Sequence, residues 1–390
     1  MFDPNQFRDI DPGVRILMGP GPSDVSPRVL AAMAAPCIGH LDPYFLKVMD
    51  DNQNLLRYVF QTKNQMTIPI SGTGSAGMET CLVNLVEPGD KVMVCVNGVF
   101  GTRMSDIVGR IGGKLIRLDF PWGRAVDPET VRKATKKYKP DILAVVHAET
   151  STGVCSPLEA LSSVAKEAGA LFFVDAVTSL GGIPVNVDEN GIDACYSGTQ
   201  KCLSCPPGLS PITLNQVAMN KIKGRKSPVL SWYFDMSMLA SYWGDERKYH
   251  HTAPVNMNYA LREALRMIAE EGLEARYERH LKTHKALVHG LEAMGLNMVV
   301  PENERLPMLN TVSIPEGIKD IHIRSALLKD YGIEIGAGLG DLAGKVWRVG
   351  IMGSSCTDRN VSLFLSSLYK ILKKEGAKVS PAFFDVISEG

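Results

Sequence analysis

Charge of one sign is missing from this chain: 42 lysines and arginines stand against 42 aspartates and glutamates, so the formal net charge is zero. A nucleic-acid reader carries a basic excess and a phosphate-tracking face, so a small molecule is the expected partner, with no nucleic acid. Also missing is a run of about eighteen uninterrupted apolar residues, which argues against a helical membrane span. Met1-Phe2-Asp3-Pro4-Asn5 lacks a basic segment followed by an apolar one, and Ile387-Ser388-Glu389-Gly390 is not a Ser-Lys-Leu-type address. The expected location is therefore the cytoplasm. Cysteine is sparse: eight residues scattered through apolar segments suit a reducing compartment better than a disulfide framework. No internal repeat or low-complexity tract is visible. The 390 residues allow a large core and more than one lobe.

Against that background, Gly198-Thr199-Gln200-Lys201 stands out. It places a lysine just past a short strand pattern, Ala194-Cys195-Tyr196-Ser197, and ahead of Pro206-Pro207-Gly208. Taken alone, a lysine on a turn is a solvated surface group. Upstream, however, the apolar run Leu171-Phe172-Phe173-Val174 ends in Asp175. A buried strand ending in a carboxylate is costly unless something cationic faces it. Pyridoxal phosphate would supply that cation at its ring nitrogen, and its aldehyde condenses with a lysine amine. Lys201 and Asp175 fit those two roles.

A phosphate cradle completes the set. Thr67-Ile68-Pro69-Ile70 reads as a strand, then comes Ser71-Gly72-Thr73-Gly74-Ser75-Ala76-Gly77, then a helical stripe at Met78, Cys81, Leu82 and Leu85. A glycine-rich turn opening a helix lets backbone N–H groups approach an anion, and the Thr73 and Ser75 hydroxyls add donors. Such a loop alone is a weak signal; joined to Asp175 and Lys201 it is a much stronger one.

Between residues 65 and 215, apolar runs at 91–96, 142–146, 171–174 and 194–197 alternate with helical patterns. That alternation predicts an α/β fold with a largely parallel sheet covered on both faces, and ligands outside the carboxyl ends of its strands. After Pro254 one long helical pattern runs from Tyr259 to Leu281 and leads into a smaller α+β lobe. Strand candidates in that lobe are 297–300, 311–314, 333–335 and 345–351. Cys202 and Cys205 have the spacing of a redox pair or half a zinc site, but no second pair lies nearby and prolines follow, so they read as small buried residues. Adjacent His250 and His251 on an extended segment point to opposite faces, and neither is expected to be a metal ligand.

These motifs, with Met18-Gly19-Pro20-Gly21-Pro22-Ser23, Tyr58-Val59-Phe60-Gln61-Thr62, Ser151-Thr152-Gly153, Tyr249-His250-His251-Thr252 and Gly344-Lys345-Val346-Trp347-Arg348-Val349-Gly350, resemble the class V, fold-type I aminotransferases. The resemblance is to the alanine-glyoxylate and serine-glyoxylate group and runs over nearly the whole length. It implies a large domain with a mostly parallel seven-stranded sheet and a smaller C-terminal α+β domain: an arm at 1–20, the cofactor domain at 21–270 and the small domain at 271–390. It further implies that Lys201 is the covalent anchor and Asp175 the pyridine partner. Thr73, Gly74, Ser75 and Gln200 would bind the phosphate, and Thr150 would lie near the ring hydroxyl. Tyr249 and Thr252 would reach the phosphate of a partner subunit in a homodimer. Arg348, with Gly21, would hold the substrate carboxylate. Where mammalian relatives stack a tryptophan on the ring, this chain has Phe100, with less area and no N–H donor.

The implied reaction is transamination of a small amino acid, alanine or serine, with glyoxylate or pyruvate. Rival readings are a related transaminase using 3-hydroxykynurenine or ureidoglycine, a cysteine desulfurase, and a cofactor-free regulator. A desulfurase needs a cysteine on a loop ahead of the carboxylate arginine, and none lies between Cys205 and Arg348. A regulator would have lost Lys201 or Asp175, and both are present.

Overall fold

The computed structural model describes residues 2, 3, 6 and 9–388. The chain runs through β1 (Ile16–Leu17), α1 (Pro27–Met33), α2 (Pro43–Phe60), β2 (Met66–Ser71), α3 (Gly74–Leu85), β3 (Lys91–Val96), α4 (Val99–Arg110) and β4 (Lys114–Asp119). Then come α5 (Pro128–Tyr138), β5 (Ile142–Val146), β6 (Ala148–Glu149), β7 (Val154–Cys155), α6 (Leu158–Ala168), β8 (Leu171–Asp175), β9 (Ala194–Tyr196) and β10 (Leu209–Leu214). The helix boundaries follow local chemistry. Asp42 and Asp127 cap α2 and α5 with their side chains, each followed by a proline that needs no N–H donor in the first turn.

Seven strands form one sheet in the order β2-β10-β9-β8-β5-β3-β4. β10 runs antiparallel to both neighbours, and the remaining pairs are parallel. Side-chain alternation explains why helices cover both faces. Val92, Val94, Val96, Ile142, Ala144, Val146 and Phe173 join one apolar cluster, while Met93, Cys95, Leu143, Val145, Phe172 and Val174 join another. Because β10 alone is reversed, the carboxyl ends of β2, β3, β5, β8 and β9 share one edge, and the site gathers there.

Beyond the sheet lie α7 (Gln216–Lys223), α8 (Met236–Trp243), α9 (Val255–Glu271) and α10 (Leu273–Ala293). The single long helix expected after Pro254 is in fact two. Gly272, at φ +82°, breaks it, a left-handed backbone that glycine adopts at little cost. The final segment holds β11 (Leu309–Ser313), α11 (Asp320–Tyr331), β12 (Ile333–Glu334), β13 (Gly336–Ala337), β14 (Val346–Gly350), α12 (Asp358–Lys374) and α13 (Phe383–Ser388). β11, β14 and β13 form an antiparallel sheet with β14 in the middle. The strand expected at 297–300 reduces to one bridge, Met298 with Val312, beside the three-stranded sheet. β1 pairs in parallel with β12, tying the start of the chain to this last segment. Trp347 and Val349 sink into the local core with Leu287, Phe364 and Leu365, which turns Arg348 between them toward the other side of the strand.

Candidate active site

Lys201 sits in a turn pinned on both sides. Ser197 Oγ donates to the Ala176 carbonyl at 3.0 Å, Thr199 Oγ1 to Pro206 at 2.8 Å, and Ser23 Oγ to the Lys201 carbonyl itself at 2.7 Å. The side chain is buried, and Nζ donates to the Pro20 carbonyl. Gly21 lies against it at φ +110°, and a Cβ there would stand 2.5 Å from Nζ. A glycine is therefore required both by conformation and by the amine's approach. Burial, with the Arg348 guanidinium adding to it, pushes the amine down to about 8. A good share of it is neutral, and so nucleophilic, near neutral pH.

Asp175 ends β8, directly across the sheet register from Tyr196 of β9. The Tyr196 hydroxyl donates to Asp175 Oδ2, and the Val177 N–H donates to Oδ1 at 2.8 Å. Burial nevertheless pushes the carboxyl up to about 7. Among the described residues no lysine, arginine or histidine bonds to it, and a protonated ring nitrogen would be the missing counter-charge.

The same cavity is lined by Thr73, Gly74 and Ser75 at the start of α3, by Gln200, and by Phe100 and Arg103 on α4. α3 begins at Gly74, before the end of the glycine-rich stretch, so the first N–H groups of the helix have no intrahelical acceptor. Thr73 occupies the capping position, yet its hydroxyl makes no capping bond. The Gln200 amide oxygen is buried without a partner among the described residues, and with the amide turned over it would offer its N–H groups to an anion. These groups fit pyridoxal phosphate: an amine for the aldehyde, a carboxylate for the ring nitrogen and an anion site for the phosphate.

Arg348, itself buried and near enough to Lys201 for its charge to lower that amine, donates from Nε to the Ala337 carbonyl at 2.6 Å and from Nη1 to the Thr150 carbonyl at 3.0 Å. Nη2 bonds to no described residue, so one end of the fork is open. Burial lowers this guanidinium to about 10, offset in part by the buried Glu149 carboxylate. Gly21, Thr73, Gly74, Ser75, Phe100, Thr150, Asp175, Gln200, Lys201 and Arg348 thus gather at one edge of the sheet. Tyr249 and Thr252 do not join them: both side chains are exposed, Tyr249 with 58% of its surface accessible. The two histidines between them correct the expectation of opposite faces. Their Nδ1 atoms lie 2.9 Å apart, and His251 Nε2 meets Ser71 Oγ at 2.7 Å. Cys202 and Cys205 are buried, and burial pushes both thiols up, Cys202 to about 12.

Sequence reading missed three residues. Tyr196 was legible only through its register with Asp175. Arg103, which lies over the Phe100 ring at 5.1 Å and donates to Ser75 Oγ at 3.0 Å, carries no local motif. Glu149 had a signal, a carboxylate three residues past a fully apolar strand.

A buried lysine, a carboxylate and a helix end facing one cavity, on a largely parallel sheet, define a pyridoxal-phosphate-dependent enzyme. The Aminotransferase class-V family model matches residues 25–348, and the chain belongs to that family. It is 42% identical over 390 residues to the (S)-ureidoglycine–glyoxylate transaminase of Bacillus subtilis, covering 95% of this chain and 94% of that one. It is 40% identical over 363 residues to the alanine–glyoxylate aminotransferase of Mus musculus, covering 92% and 88%. A crystal structure of alanine–glyoxylate aminotransferase from Nostoc sp. superposes with a TM-score of 0.92 at 48% identity, over 95% of this chain and all of that one. Among the described residues no helix is long and apolar enough to cross a membrane.

Proposed function

We propose that this aminotransferase moves an amino group from a small amino acid, alanine or serine, to glyoxylate, with pyruvate as a second acceptor. The donor leaves as its 2-oxo acid and glyoxylate as glycine. One observation carries the reading: a buried arginine fork, open at Nη2, lies near enough to the buried lysine for its charge to lower that amine. Both proposed substrates are small and carry one carboxylate, and a planar guanidinium is the group that orients one. Glyoxylate also appears in the names of the Bacillus subtilis and Mus musculus relatives.

When bound, pyridoxal phosphate supplies an electron sink for the bonds at the substrate Cα. Lys201 would hold it covalently through Nζ, Asp175 would keep the proton on its ring nitrogen, and Phe100 would support the ring. The first N–H groups of α3, with Thr73, Ser75 and Gln200, would take the phosphate, and Thr150 would serve the ring hydroxyl. Arg348, beside Gly21, fixes the substrate carboxylate and so determines which Cα bond is activated. Lys201 Nζ, held in this cavity as a partly neutral amine, would be the group that takes and returns a proton at the substrate Cα.

We further infer a cytoplasmic homodimer in which Tyr249 and Thr252 complete the partner's phosphate site. Their exposure supports this, as do the solvent-facing Leu41, Tyr44, Trp232 and Tyr233. Eight unpaired cysteines suit a reducing compartment. The break at Gly272 supports a division into an arm at 1–20, a cofactor domain at 21–270 and a small domain at 271–390. Ureidoglycine is the alternative donor, favoured by the likeness to the Bacillus subtilis enzyme. A screen of alanine, serine and ureidoglycine against glyoxylate and pyruvate separates the readings. Turnover of none of these donors with glyoxylate would overturn the proposal.

A further inference from the structure

The first turn of α4 is capped by a group from another element. Its N-cap is Gly98, which has no side chain to offer. Yet the N–H of Phe100 donates to Glu149 Oε2 at 3.1 Å, and the N–H of Val99 donates to Ser151 Oγ at 3.0 Å. Ser151 in turn donates twice to Glu149 Oε1, from Oγ at 2.6 Å and from its N–H at 3.0 Å. A backbone bond from Gly101 also reaches the carboxylate. Groups that a helix normally satisfies with its own cap are satisfied here by a wholly buried carboxylate at the end of β6.

The fit is tight enough to dictate sequence. Gly98 is extended, at φ 176°, a backbone any residue adopts. A Cβ there would nevertheless stand 2.4 Å from both Glu149 Cδ and Ser151 Oγ. Glycine is present because the carboxylate must come that close.

Glu149 and Ser151 also flank Thr150, whose carbonyl takes the Nη1 bond of Arg348. A single short segment therefore touches both the helix turn that carries Phe100 and the buried Arg348. Burying a carboxylate is costly, and several donors aimed at it hold it in one geometry.

We propose that Glu149 is a positioning residue for the transamination: through the first turn of α4 it sets the Phe100 ring against the cofactor, and through Thr150 it sets Arg348 for the substrate carboxylate. This rests on the reading that Phe100 meets the ring and that Arg348 takes the carboxylate.

Glu149→Gln keeps the shape but replaces one acceptor with an NH2 group that faces N–H donors. The expected result is roughly a tenfold weaker affinity of the apoprotein for pyridoxal phosphate, measured by quenching of tryptophan fluorescence. A weaker near-UV circular dichroism band from the bound cofactor and a KM for the amino donor raised several-fold complete the prediction. Phe100→Leu and the double variant supply the control. If Glu149 acts through Phe100, the double variant binds the cofactor no more weakly than the poorer single one. Additive losses, or a lowered melting temperature with unchanged affinity, KM and dichroism, overturn the proposal. If Phe100→Leu itself leaves cofactor affinity unchanged, the reading of Phe100 has failed. Glu149 is then judged by the KM alone, and an unchanged KM overturns its role. Should Glu149→Gln not fold, Ser151→Ala, which cuts the link between Val99 and the carboxylate, is expected to move the same readouts in the same directions, and unchanged values there refute the idea.

Discussion

The titration of Lys201 is the sharpest quantity the site offers. Burial, and then the neighbouring Arg348 charge, lower this amine from 10.5 to about 8. At about pH 7.5 a group titrating at 8 is roughly one quarter neutral, and one titrating at 10.5 only about a thousandth. The structure therefore gives Lys201 roughly two-hundredfold more reactive amine than an exposed lysine, about 3 kcal/mol. Only the neutral amine attacks an aldehyde, so the rate at which apoprotein captures pyridoxal phosphate rises tenfold per pH unit below about 8 and levels off above it. Stopped-flow absorbance of cofactor capture across this range measures the midpoint. Replacing Arg348 by glutamine removes the nearby cation, so the midpoint moves up while staying short of 10.5, because burial is the larger cause. The same shift acts on stability: the unfolded chain binds this proton more tightly, so the contribution of Lys201 rises with pH between about 8 and 10.5. A wild-type midpoint near 10.5, or one that does not move in Arg348→Gln, refutes the reasoning.

Asp175→Asn leaves the fold intact and slows proton transfer at the substrate by about a hundredfold or more, the scale of breaking a buried charge pair; single-turnover absorbance at the wild-type rate would assign Asp175 another role. Because burial holds the Asp175 carboxyl at about 7, cofactor affinity of the apoprotein falls as pH drops below that value, and a flat affinity from pH 5 to 7 contradicts the pairing. Thr252→Ala weakens cofactor binding in a dimer of normal size by about tenfold to a hundredfold, one charge-assisted hydrogen bond; sedimentation showing a fully active monomer would refute the shared site. Arg348→Lys keeps the charge and loses the fork, so KM for donor and glyoxylate rises while cofactor affinity holds, and unchanged KM values would remove Arg348 from the substrate site.

What the sequence made legible was what local chemistry determines. A strand ending in Asp175, a turn carrying Lys201 and a helix opened by glycines each announce themselves over a few residues, and each is where the pattern puts it. The break at Gly272 was hidden because the apolar stripe continues on both sides, and only the backbone angle distinguishes a bend from a pause. The segment at 297–300 has strand-like residues but makes only one bridge, since pairing depends on a neighbour that the sequence does not name.

Tyr196 and Glu149 show the deeper reason why part of the site stayed illegible. Tyr196 matters because register sets it opposite Asp175, where its hydroxyl meets the buried carboxylate. Glu149 matters because α4 begins beside it without a cap of its own. Neither relation is a property of the residue's own neighbourhood in the chain; each exists only once two elements are placed. The groups that hold, stack on or pair with a cofactor can be read from motifs because their chemistry is local. The groups that hold those groups in place answer to the packing, and Gly98, kept small by the Glu149 carboxylate fifty-one residues further along the chain and by the Ser151 hydroxyl beside it, is where that dependence can be measured.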